Sequence, residues 1–143
     1  MIEGRYVISV CGTRSRDYPA LYYEISEEIT RIIERHEPSL DTMPIICSGG
    51  CSKGADRFAK DISKRRKLPY LEFPADWTVF GNGAGYYRNT FIANAADYLI
   101  AVVNKERTGG TEDTINKFIR RFKGATEELL RDDHSLIILE EEE

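Results

Sequence analysis

Apolar residues run along this chain in two alternating rhythms. Short unbroken blocks, rich in β-branched residues, are separated by longer stretches in which apolar positions recur every three or four residues. The block "YVISVC" at residues 6–11 ends in the polar "GTRS" and reads as a buried strand. Residues 19–36 follow with Leu21, Tyr22, Ile25, Ile29, Ile32 and Ile33 at helical spacing. "PIIC" at 44–47 is a second strand, and Ala55, Phe58, Ala59 and Ile62 mark the inner face of a second helix. "LPYLEF" at 68–73 is a third strand, closed by Pro74. Residues 77–85 read as loop, 86–95 as a short helix, and "YLIAVV" at 98–103 as the clearest buried strand. A loop "NKERTGG" leads into a helix over 111–123, faced by Ile115, Phe118, Ile119 and Phe122. A polar stretch with room for more helix precedes a last strand, "SLIIL", at 135–139.

Strands alternating with helices imply βαβ units joined by right-handed crossovers. The expected fold is α/β: a three-layer, Rossmann-like, doubly wound sandwich around a mostly parallel five-stranded sheet. Neither a repeat nor a low-complexity linker divides the chain, so 1–143 reads as one nucleotide-binding domain. Ligands of such sheets lie beyond the carboxyl ends of the strands, where the strand order reverses. Three strand-exit loops, "GTRS", "SGGCSKGAD" and "NKERTGGTED", therefore fall on one rim.

Each loop carries candidate chemistry. Ser48, Gly49, Gly50 and Gly54 stand between a strand and a helix start, with Lys53 among them. Glycines there let backbone N–H groups approach an anion, and the helix N-terminus adds its positive dipole end. The loop is neither a Walker A sequence nor G-x-G-x-x-G, and a tight turn accounts for any one of its glycines. Asp56 reads equally as a first-turn carboxylate favoured by the dipole or as an acceptor for a ribose hydroxyl. Gly109 and Gly110 before Thr111 suggest a second cradle, with Thr111 a natural N-cap and Glu112 and Asp113 in the first turn. Gly12, Thr13 and Arg14 bring a guanidinium and a hydroxyl to the same rim. The glycines of 81–85 lack dinucleotide-fingerprint spacing and read as a lid, and Trp77, Tyr86 and Tyr87 either stack on a base or pack the loop.

Composition narrows the classes further. Lys and Arg total 20 against 24 Asp and Glu, for a net charge of −4, part of it in an acidic tail at 140–143. No broad basic field is available for nucleic acid, and the run Lys64, Arg65, Arg66, Lys67 reads as a solvated helix end. Three cysteines without metal-ligand spacing point to reduced thiols, no metal and a cytoplasmic setting; His36 and His134 stand isolated among charged residues. No apolar stretch is long enough for a membrane span and no signal-peptide profile opens the chain. "IEGR" at 2–5 matches a protease-linker sequence, and no function is placed on 1–5.

The ordered set "CGTRS", "SGGCSKGAD", "FPADW", "GYYRN", "ADYLIAVVN" and "GGT" resembles the SLOG superfamily, which includes the Rossmann-like domain of DprA-type proteins and the LOG-type phosphoribohydrolases. The resemblance is closest to small stand-alone members and spans residues 6–122. It implies a nucleotide or nucleotide-derivative ligand, no other cofactor, and a homodimer. By motif position the ligand-binding candidates are Gly12, Thr13, Arg14, Ser48, Gly49, Gly50, Lys53, Gly54, Asp56, Arg88, Asn89, Gly109, Gly110 and Thr111. LOG-type hydrolases carry P-G-G-x-G-T-x-x-E; here the loop is "RTGGTEDTI", and Thr114 stands at the glutamate's offset from Thr111. The leading expectation is therefore a module that senses or sequesters a nucleotide. The alternatives are an N-glycoside hydrolase using Asp56, Glu112 or Asp113 as general acid or base, and a scaffold that binds single-stranded nucleic acid.

Overall fold

The computed structural model describes residues 1–36 and 43–141. Five strands form one sheet: β1 (Val7–Gly12), β2 (Ile45–Ser48), β3 (Tyr70–Glu72), β4 (Tyr98–Val102) and β5 (Leu136–Leu139). Their order is β3-β2-β1-β4-β5, and every pairing is parallel. Each strand of a parallel sheet must be reached by a crossover, and here helices supply it: α1 (Pro19–Arg35), α2 (Ala55–Arg65), α3 (Trp77–Phe80) with α4 (Ala84–Ala95), α5 (Gly110–Arg120) and α6 (Glu127–Asp132).

Alternation along the strands assigns the two faces. Ile8, Val10, Ile46, Ile100 and Val102 pack on Leu21, Ile25, Ile29 and Ile32 of α1 and on Phe58, Ala59 and Ile62 of α2. Cys11, Leu99, Ala101 and Val103 face the other way, against Ala93 of α4 and Ile115 and Phe118 of α5. The central strand β1 is buried almost throughout, whereas the edges β3 and β5 are partly open. The chain crosses from one side of β1 to the other after β3, so the order reverses between β1 and β4. That is the position at which a doubly wound sheet opens a crevice.

Several sequence expectations change in detail. The sheet is wholly parallel. Residues 77–85 are not an open loop: Asp76 accepts from the N–H groups of Thr78 and Val79, both at 3.2 Å, and so caps α3. A 3-10 turn, Gly81–Gly83, then runs directly into α4. An aspartate before an aromatic run is an N-cap signal that the neighbouring glycines obscure. His36 is not isolated, since it stacks on Tyr6 at 3.8 Å and hydrogen-bonds Tyr98 Oη at 2.8 Å. Residues 2–5 form a small turn closed by an Ile2–Arg5 bridge. In the acidic tail Glu140 pairs with Arg131 at 3.5 Å, while 142–143 lie outside the described residues. Among the described residues no helix is long and apolar enough to cross a membrane.

Candidate functional site

A cavity of about 460 Å³ lies over the carboxyl ends of β1 and β4. Gly12, Thr13, Arg14, Asp56, Arg88, Asn89, Gly109, Gly110 and Thr111 line it, together with Cys11, Cys51, Trp77 and Tyr86. The loop after β1 reaches it because Gly12 lets the chain through a gap no side chain fits. A Cβ there would lie 2.7 Å from the Cβ of Ala55 and 2.8 Å from that of Val102. The Thr13 N–H then prolongs the sheet by donating to Val102 O at 3.0 Å, which leaves Arg14 exposed at the cavity wall.

The loop after β2 is placed differently. Ser48, Gly49, Gly50, Lys53 and Gly54 do not line the cavity. Ser48 is fully buried, with its hydroxyl 2.6 Å from Tyr70 Oη. Two N–H groups of this loop already have carboxylates: Cys51 donates to Asp56 Oδ2 at 3.1 Å and Gly54 to Asp17 Oδ1 at 3.0 Å. Gly50 turns with φ +76°, its α-carbon facing Glu72, and Gly49 gives its carbonyl to Arg88 Nη1 at 2.8 Å. Lys53 is exposed to solvent. This loop thus forms a brace behind the cavity, whose surface it enters through Cys51 and Asp56.

The loop after β4 opens straight into it. Gly109 adopts φ +85°, a conformation that favours glycine, and occupies the N-cap position of α5. Thr111 is therefore inside the first turn and not the cap, and no side chain caps this helix. Its leading N–H groups and its dipole are presented beside Gly109, Gly110 and Thr111 on the cavity wall. Asn89 fixes the helix end from α4, donating to Gly110 O at 3.1 Å and to Asp113 Oδ2 at 3.2 Å. Asp113 also pairs with Lys117 at 2.9 Å. Glu112 is clamped by both Arg107 Nε and Nη2, at 2.7 and 3.0 Å, and Arg107 in turn holds Glu127. Neither Glu112 nor Asp113 lines the cavity.

Of the acidic candidates, Asp56 alone faces the cavity, and it is 9% exposed. Burial raises its carboxyl to about 6, against the pull of the Cys51 N–H and of Arg88 and Arg14; Glu72 adds to the rise. It can therefore exchange a proton near neutrality, the property required of a general acid or base. Cys11 sits at the cavity floor, where burial and the Asp56 charge push its thiol well above the usual range. Cys47, raised to about 11 by burial, is packed against Ser9. Neither is a thiolate at neutral pH, so neither is a ready nucleophile.

Sequence reasoning passed over several residues that build this site. Arg16 is 2% exposed and donates to the carbonyls of Val103 and Leu139, at 3.0 and 2.5 Å, at the ends of β4 and β5. Its Nη2 also donates to Tyr18 Oη at 2.8 Å. Asp17 ties the first loop to the second by accepting from Gly54 N–H and from Arg57, the latter at 2.9 Å. In "TRSRD" the two arginines stand two residues apart, and no periodicity separates the buried Arg16 from the exposed Arg14. The basic run Lys64–Lys67 begins at the opposite end of α2 from Asp56, and Arg66 is bonded to Thr30 of α1 at 3.1 Å.

Two solved structures share this architecture. One is the molybdenum cofactor binding protein of the phototrophic bacterium Rippkaea orientalis, with a TM-score of 0.59 at 14% identity, covering 96% of this chain and 78% of that one. The other is the molybdenum cofactor carrier protein of Chlamydomonas reinhardtii, with a TM-score of 0.54 at 16% identity, covering 94% and 89%. At these identities the likeness is one of fold. No curated protein matches the sequence significantly. A family model described as the YspA, cpYpsA-related SLOG family matches residues 7–80, which run from β1 through the β2 loop and Asp56 to the end of α3. With half its length matched, and with the parallel sheet and rim cavity that the motif order implied, this chain belongs to the YspA, cpYpsA-related SLOG family.

Proposed function

We propose that this protein binds a nucleotide or nucleoside-phosphate derivative in the cavity over β1 and β4, and holds it as a sensor or sequestering module. The observation that carries the reading is the uncapped N-terminus of α5, opening at Gly109 and Gly110 into a cavity that Arg14 also lines. Free N–H groups at a positive dipole end, with a guanidinium on the same cavity, suit a phosphate. Trp77 and Tyr86 add aromatic surface for a planar ring. The two structural neighbours take molybdenum cofactor, which makes it a ligand to include in the panel.

A ligand at a hundred times its Kd adds about 2.7 kcal/mol of stability. For a domain of this size that raises Tm by on the order of 8–10 °C. Trp77, the only tryptophan, lines the cavity and reports the same event by fluorescence. Arg14→Ala is expected to weaken a phosphate ligand about ten- to a hundredfold and to leave the melting temperature of the free protein unchanged, because Arg14 is exposed. If no phosphate-bearing ligand shifts Tm or quenches Trp77, the reading fails.

Hydrolysis is the second reading, and it rests on Asp56, the only acidic candidate on the cavity. Release of free base from a nucleoside monophosphate, abolished by Asp56→Ala, would replace binding with catalysis. A homodimer belongs to the same proposal: Phe80, Tyr87 and Phe91 of α3 and α4 stay exposed beside a shallow apolar groove, as a second copy would require. Light scattering that returns the mass of one chain removes it. Free thiols suit a cytoplasmic setting.

A further inference from the structure

The cavity is lined by groups of opposite character. Arg14 and the start of α5 offer donors, and Asp56 offers an acceptor. Only Oδ2 of that carboxylate has a partner, the Cys51 N–H at 3.1 Å, and among the described residues Oδ1 accepts nothing. A side chain that is nine-tenths buried, aimed into a cavity and left without a cation within ion-pair distance is costly to keep unless a ligand uses it. Arg88 stands beside it. A Cβ on Gly49 would strike Arg88 and lie 3.1 Å from Asp56 Oδ2, so the two side chains flank one spot without closing an ion pair. Arg88 Nη1 and Nε are engaged by Gly49 O and Asn89 Oδ1, while Nη2 has no hydrogen-bond partner among the described residues.

We propose that Asp56 and Arg88 read the edge of a 2-amino-4-oxopyrimidine ring, as found in guanine and in pterins, in a ligand whose phosphate lies at α5. The inference rests on the phosphate-cavity reading above. A carboxylate is an acceptor only, and two acceptor oxygens side by side match two adjacent donors. The ring N–H and exocyclic amino group of such a ring supply that pair, and the neighbouring carbonyl accepts from a guanidinium. Adenine and cytosine place a ring acceptor beside their amino group, which would confront Asp56 with a lone pair. Hypoxanthine and uracil offer one N–H flanked by carbonyl or C–H.

A ribose diol also presents two donors, but it sets no carbonyl beside them for Arg88 Nη2, and 2′-deoxy-GMP separates the two cases.

The test compares wild-type affinities for GMP, IMP, AMP, 2′-deoxy-GMP and a 6-substituted pterin monophosphate by Trp77 fluorescence and thermal shift. GMP and 2′-deoxy-GMP, the pterin phosphate, or both are expected to bind; GMP against the pterin identifies the source of the ring. IMP should bind at least about tenfold more weakly than GMP, and AMP about a hundredfold, because each leaves a buried acceptor facing no donor. Asp56→Asn should remove most of the preference for GMP over IMP while the variant melts cooperatively. Equal affinities for GMP, IMP and AMP overturn the inference and leave phosphate binding standing. So does a loss confined to 2′-deoxy-GMP, which would put Asp56 on the ribose. If no phosphate compound binds at all, the phosphate-cavity reading falls and this inference falls with it.

Discussion

Replacing Arg16 by methionine is expected to destabilise the fold by about 3–4 kcal/mol, the largest effect of any single rim substitution. The guanidinium is the donor to Val103 O, adds a second donor to Leu139 O beside the Val103 N–H at 3.2 Å, and also donates to Tyr18 Oη. Methionine fills similar volume but donates nothing. Val103 O left without a donor costs about 1–3 kcal/mol, each hydrogen bond lost at Leu139 O and Tyr18 Oη about 0.5–1.5 kcal/mol more, and water reaches only part of a site that is 2% exposed. The ion pair with Glu24 contributes little, since it stands at 4.0 Å with the glutamate half exposed. Urea unfolding should show the midpoint falling with the slope unchanged, and Tm dropping by on the order of 10 °C. A midpoint equal to wild type would show that the carbonyls find other donors and that Arg16 is no staple. Because Arg16 also anchors the loop that carries Arg14, ligand affinity should fall in the variant as well.

Asp56→Asn is expected to do the reverse, stabilising the free protein by about 2–3 kcal/mol at neutral pH. The sign follows from linkage. Burial raises the folded carboxyl to about 6 from 3.8, so between those values the folded state binds more protons than the unfolded one. Stability is therefore lost as pH rises from about 4 to 6, and the full cost is present above 6. A shift of that size corresponds to about 3 kcal/mol. The N-terminal dipole of α2 favours the charge by only about 0.3–1 kcal/mol, so desolvation wins. Asparagine keeps an oxygen for the Cys51 N–H and never ionises. Comparing unfolding free energies of the two proteins from pH 4 to 8 should give curves that meet near pH 4 and separate by pH 7. A variant less stable than wild type at pH 7.5 would mean that the ionised carboxylate holds the loop through contacts stronger than its burial cost. Gain of stability with loss of ligand discrimination is the signature of a side chain retained for binding.

Much of the architecture was legible in one dimension. The blocks at 45–48 and 98–102 are apolar on both faces, as strands covered by helices on both sides must be. The spacing of Leu21, Ile25, Ile29 and Ile32 put α1 on the sheet before any coordinates. The misreadings share a cause. Residues 77–85 hold three glycines and three exposed apolar side chains, so their helices follow from the Asp76 cap and from the stacking of Phe80 on Tyr87 of α4, and not from periodicity. Thr111 has the chemistry of a cap, yet Gly109 takes that position at φ +85°, and Asn89 of α4 bonds the helix end through Gly110 O.

For the site, the chain by itself determined that three polar loops follow parallel strands and that their glycines and arginines share a rim, because strand alternation and crossover handedness leave few alternatives. Only the tertiary structure decided which groups are free to meet a ligand. "SGGCSKGAD" looked like the principal cradle, yet two of its N–H groups are taken, one by Asp56 within the same stretch and one by Asp17 of the loop after β1. In "TGGT", read as a second cradle capped by Thr111, no side chain caps the helix and its end is the open one. Glu112 and Asp56 are both first-turn acids, but one is neutralised by Arg107 and the other lines the cavity beside Arg88 without pairing to it. A residue's type sets what bonds it can make. Whether those bonds remain available is set by the partners folding brings within reach, some only five residues away, as Arg107 is from Glu112, and others far along the chain, as Val103 is from Arg16.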